Sequence, residues 1–227
     1  MNKQDLAEYK RCKQGQTRLQ RLFKDPAQAE QALELFRAQH AAFHSAAVAD
    51  PPGWSFQDAV MTDLPQVHWG IIPPGQEHTI AWLLWHMARC EDATMNLLVA
   101  GSDQVLDEGW LSQLGVSITD TGNYMTREEI LIFSQGVNPQ ALLAYRLAVG
   151  QRTQHIAADL QPGDLHRKVD LRRMERIWGE GVVLEGSRGI ADYWSRRDVA
   201  GLLFMPAGRH LLTHLEEALE IRKALAA

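Results

Sequence analysis

The chain is poor in cysteine. Cys12 and Cys90 are its only two and share no motif, which excludes a disulfide framework and a cysteine-ligated zinc site. It has no apolar run approaching about 18 residues, so no membrane-spanning helix is expected. Basic side chains are not in excess: 23 Lys and Arg face 28 Asp and Glu, for a net charge of -5. A balance of that sign lacks the positive field that a phosphate-backbone binder needs. Arg172-Arg173 and Arg196-Arg197 are short pairs that read as solvated loop charges, so nucleic acid is not an expected partner. The first residues, Met1-Asn2-Lys3-Gln4-Asp5-Leu6, are polar and unlike a signal peptide, which makes the cytoplasm the expected location. There is no internal repeat, low-complexity tract or evident linker, so residues 1–227 are expected to form one domain.

What is present is ample apolar material, 45% of residues, enough for a substantial core. Periodicity and punctuation predict four main helices. The first covers about 26–48, opened by Asp25-Pro26 and stopped by Asp50-Pro51-Pro52-Gly53. The second covers 79–100 and ends at Gly101; its segment Ile80 to Arg89 is apolar on nearly every side, as in a helix surrounded by neighbours. Residues 101–125 read as a loop region. Thr126 with Glu129 forms a capping-box pattern for a short helix. Asn138-Pro139 starts the third main helix, 139–160. The fourth covers 198–225 from the N-cap Asp198, with a kink or restart expected at Pro206. Residues 161–195 show no clear period and are expected to form an irregular insertion, with a short strand or lid at Val182-Val183-Leu184. The fold class is therefore all-α, a four-helix bundle with an insertion before the last helix.

Nine histidines stand out. His210 and His214 are four residues apart on the last helix, which brings them within ~40° of one face, where two imidazoles can reach one ion. His40 and His44 repeat the spacing near the end of the first main helix, where a helix-end or surface role is the expected one. His86 sits among Trp82-Leu83-Leu84-Trp85 and Met87, where a buried imidazole requires a partner, either a hydrogen-bonding group or a metal ion. Glu217 shares the face of His210 and His214 and is placed to orient a ligand. Glu91 and Asp92 lie off the face of His86; Asp92 reads as a surface or interhelical partner, and no catalytic residue is assigned.

The segment His78-Thr79-Ile80-Ala81-Trp82-Leu83-Leu84-Trp85-His86-Met87-Ala88-Arg89-Cys90-Glu91-Asp92 resembles the second-helix motif of the DinB-like superfamily. Met205-Pro206-Ala207-Gly208-Arg209-His210-Leu211-Leu212-Thr213-His214-Leu215-Glu216-Glu217-Ala218 resembles that family's fourth helix. The resemblance implies a metal-binding four-helix bundle with His86, His210 and His214 as ligands, and it does not extend to His40, His44, His78 or His155. It implies zinc or nickel, and a small-molecule substrate handled by a transferase or hydrolase, with a bacterial thiol as a cosubstrate. The alternative it leaves open is a non-catalytic metal-binding or stress-linked protein, and a fourth protein ligand such as His44 would favour that alternative. A homodimer is expected from the family and from the tryptophan-rich second helix. The insertion 161–195 is expected over the open side of the metal, with Arg172, Arg173, Arg176 and Arg188 available to an anionic substrate.

Overall fold

The computed structural model describes residues 1–226 and is all-α, with no strand among them. The long elements are α1 (Lys3–Leu22), α2 (Ala29–Phe43), α4 (Ile80–Asp92, continued by a π-helical segment Ala93–Ala100), α7 (Pro139–Asp159) and α11 (His210–Ala226). Shorter helices fill the connections: α3 (Phe56–Met61), α5 (Glu108–Leu114), α6 (Arg127–Gly136), α8 (Leu171–Gly179), α9 (Arg188–Ser195) and α10 (Val199–Phe204). The four helices expected from periodicity are present, and the cap residues behave as read. Asn138 accepts from the Gln140 and Ala141 amides, Asp198 from Gly201, and Thr126 and Glu129 form a reciprocal capping box. Gly101 ends the π segment at φ 74°, the left-handed position that favours glycine.

Three readings need correction. Helix α1 was not anticipated, because its buried side is only the narrow stripe Cys12, Gln16, Leu19 and Leu22 in an otherwise charged segment. Residues 161–195 are not irregular: α8 and α9 occupy them, and Val182 and Val183 are buried core residues rather than a strand. Pro206 does not restart its helix. Residues Met205–Arg209 form a π-helical turn between α10 and α11, and the wider turn accommodates the missing proline N–H. Gly208 is required there, since a Cβ would lie 2.9 Å from the Leu203 carbonyl oxygen.

Helix α4 is the axis of the molecule. Each of its thirteen residues is buried, and it packs on both α7 and α11. Its faces therefore carry polar groups deep inside, and these are paired. Asp92 accepts from Arg89 (2.9 Å), from the Tyr145 hydroxyl on α7 (2.6 Å), from Asn96 (2.8 Å) and from the backbone amides of Val105 and Leu106. The interhelical role expected of Asp92 is the one it has. Trp82 and Trp85 are 3% and 0% exposed within their own chain, so this helix offers no apolar face to a second copy and does not argue for a homodimer.

Candidate metal centre

His86, His210 and His214 converge. One ring nitrogen from each lies within 4.8 Å of the others, and His86 Nε2 is 3.0 Å from His210 Nε2. In two of the three rings the partner of the opposite nitrogen fixes which one is free. His86 Nδ1 donates to the Thr121 carbonyl at 2.7 Å, and His214 Nδ1 donates to Glu217 Oε2 at 3.0 Å. Both rings thus carry their proton on Nδ1 and turn an Nε2 lone pair inward. His210 Nδ1 is buried without a partner. Burial, with His214 nearby, depresses His86 to about 3, and burial with His86 and His214 holds His210 well below its ordinary value. Three imidazoles with converging ring nitrogens, two of them backed at Nδ1 by a carbonyl or carboxylate, are a donor set that suits a divalent transition ion. The residues present fit such an ion.

The supporting shell comes from a loop that was legible only as a loop. Four successive carbonyls accept from α4: Thr119 from Arg89, Asp120 from Trp85, Thr121 from His86 and Gly122 from Trp82. The Thr121 amide is held in turn by the Val182 carbonyl of the insertion. Gly122 has φ 76°, and a Cβ there would meet Trp82 Nε1 at 2.8 Å. Glu217 does what its spacing suggested and more: its second oxygen accepts from His78 Nδ1 at 2.6 Å. Burial raises the Glu217 pKa, but the hydrogen bonds from His214 and His78 outweigh it and hold the carboxyl at about 2. His78, Trp82 and His86 form a ladder of rings, stacked at 4.0 and 4.6 Å.

The three imidazoles stand at the wall of a cavity of about 430 Å³, lined also by Trp82, Met125, Ile190, Tyr193, Trp194 and Met205. The insertion does cover this side through α9, but its arginines do not. Arg172 pairs with Asp170, Arg173 with the Leu98 and Val99 carbonyls, Arg176 with Glu180 and Asp103, and Arg188 with Glu185. The expectation that they orient an anionic substrate is not met, because each already has a partner.

The second histidine pair is not at a surface. His40 and His44 are 0% exposed, and both bond Glu91, His40 Nε2 to Oε1 at 2.7 Å and His44 Nε2 to Oε2 at 2.8 Å. His40 falls on the stripe Leu33, Phe36, His40, Phe43, a signal in the sequence that points inward. The cluster has metal-ligand spacing, yet its protons are placed otherwise. The Gln154 amide nitrogen donates to the Arg37 carbonyl (2.9 Å) and to His40 Nδ1 (2.8 Å), so His40 carries its proton on Nε2 and gives it to Glu91. His44, depressed to about 3 by burial, is neutral, and Glu91 is ionised well below its ordinary pKa, against burial, by these two histidines. His44 thus belongs to this cluster and not to the first. A search of the curated proteins finds no match. With the histidine-bearing α4 and α11 in place, the DinB superfamily model matches residues 53–218, and the chain belongs to the DinB superfamily.

Proposed function

We propose that the protein is a metal-dependent enzyme of the DinB type, a transferase or hydrolase of a small molecule, with His86, His210 and His214 holding zinc or nickel. The observation that carries this reading is the fixed tautomer of two of the three rings, His86 by the Thr121 carbonyl and His214 by Glu217. Hydrogen bonds of this kind orient metal-ligating histidines. Held by His86, His210 and His214, a divalent ion would supply Lewis acidity to the substrate or to a thiol cosubstrate. The chain's own part is to present the lone pairs, to exclude water with Trp82, Tyr193 and Trp194, and to keep a proton on His78 Nδ1 against Glu217. His44 is engaged by Glu91, so the side chain that would have favoured a purely structural site is elsewhere. No helix among the described residues is long and apolar enough to cross a membrane, and the two free, buried cysteines suit the reducing cytoplasm in which we place the protein.

The test is elemental analysis of protein purified from cells grown with zinc or nickel. Wild type is expected to carry about one equivalent, and His86→Ala, His210→Ala and His214→Ala to lose it. Full metal content in all three variants would end this assignment.

A further inference from the structure

Two apolar cavities meet at one pair of residues. Asn123 and Met125 line the cavity over the imidazoles and also a neighbouring trough of about 890 Å³, whose walls include Val116, Ile118, Ile132, Phe133 and Leu184. Tyr124, Ile132 and Leu184, all on the trough, are 62%, 63% and 43% exposed. Large apolar side chains gathered at one exposed place mark a binding surface more often than chance. The charge pattern is equally one-sided. No Lys or Arg lines either cavity, the inner one has no carboxylate, and the trough carries only Asp120 and Glu129. A carboxylate or phosphate on the body of a ligand would find no cation here and would meet two acidic groups, whereas a hydrocarbon body would be covered along its length.

On the metal-site reading above, we propose that the substrate is an amphiphile. Its single donor head sits over His86, His210 and His214, and its uncharged apolar body passes Met125 into the trough. Asn123 and Met125 stand in a wall common to both cavities, and this adjacency is the ground on which the trough is assigned to the same molecule as the pocket.

The experiment is calorimetric titration of zinc-loaded and metal-free protein with straight-chain hydroxamates from acetyl to decanoyl. Affinity is expected to rise about two- to fourfold per added methylene, well past butanoyl. A chain of octanoyl length ending in a carboxylate is expected to bind at least tenfold more weakly than octanoyl hydroxamate. Ile132→Asp and Leu184→Asp, both at exposed positions, should flatten the gain of the long chains and leave acetohydroxamate unchanged. A plateau by butanoyl, or equal binding of the carboxylate-ended chain, overturns the proposal. So does a dimer that Ile132→Asp dissolves without any gain by chain length, which would give the trough to a second copy. The metal reading is scored separately by the offset between zinc-loaded and metal-free protein. A chain-length gain without that offset supports the apolar passage and removes the metal.

Discussion

At the scale of residues, two histidine clusters that each contain a four-residue pair differ in chemistry, and the difference lies in what the second ring nitrogens meet. His86 and His214 give their Nδ1 protons outward to an oxygen and keep Nε2 free; His40 accepts from Gln154 and gives its Nε2 proton to Glu91. The first arrangement leaves lone pairs facing one point, whereas in the second the ring protons are already given to Glu91. His40→Ala is therefore expected to keep its metal and lose stability, by about 3 kcal/mol, because the buried Glu91 carboxylate loses a donor. Urea unfolding beside elemental analysis separates the two effects. A variant that lost metal with unchanged stability would make His40 a ligand after all. Glu217→Gln is the converse case. It weakens the fixed orientation of His214, and metal affinity is expected to fall about 10- to 100-fold with little change in stability, measured by competition with a chelator of known affinity.

At the scale of elements, the positions of His86, His210 and His214 depend on one departure from regular helix and on one lock between helices. The π turn Met205–Arg209 sets the rotational phase of α11 and so the direction of His210 and His214. Gly208→Ala would force a Cβ against the Leu203 carbonyl, and a tenfold or greater loss of metal affinity is expected from the shifted ligands. Unchanged metal affinity would show that the turn is not needed. Helix α4 is locked to α7 through Asp92, and Asp92→Ala would leave Arg89 charged and buried without its carboxylate. The expected cost is about 3–5 kcal/mol, read as a lowered urea midpoint. The convergence of the three histidines was legible because His86 interrupts an apolar helix and His210 and His214 repeat on one face. The caps were legible because Asp198, Asn138 and Thr126 act through neighbours a few residues away. The Thr119–Gly122 carbonyls, the Glu91 cluster and the hold of Arg173 on the Leu98 and Val99 carbonyls stayed hidden, since each depends on groups tens of residues apart. The helix α1 was hidden for a different reason: its apolar stripe is one residue wide.

At the scale of the whole molecule, the buried histidines make folding itself sensitive to mild acid. His44 and His86 both titrate near 3 in the folded chain, chiefly because burial disfavours the imidazolium, and near 6.5 once unfolded. A group with a depressed folded pKa binds fewer protons in the native state, so the unfolded chain gains on protonation. The stability these two contribute is present above pH 6.5 and drains away as pH falls toward 3. Between pH 7 and pH 5 the loss comes to about 2 kcal/mol for each, or about 4 kcal/mol together. The carboxylates act later. Glu217, at about 2 in the fold, and Glu91, held low by His44 and His40, withdraw stability only below their unfolded value of 4.5. Metal-free protein, kept so by a chelator, is thus expected to show a urea midpoint that falls steadily from pH 7 to 5, before any carboxylate titrates. His44→Phe should make that fall shallower, whatever it does to stability at pH 7. A midpoint independent of pH over this range would mean that the histidines are not neutral in the fold, and the lone pairs ascribed to the metal centre would lose their basis.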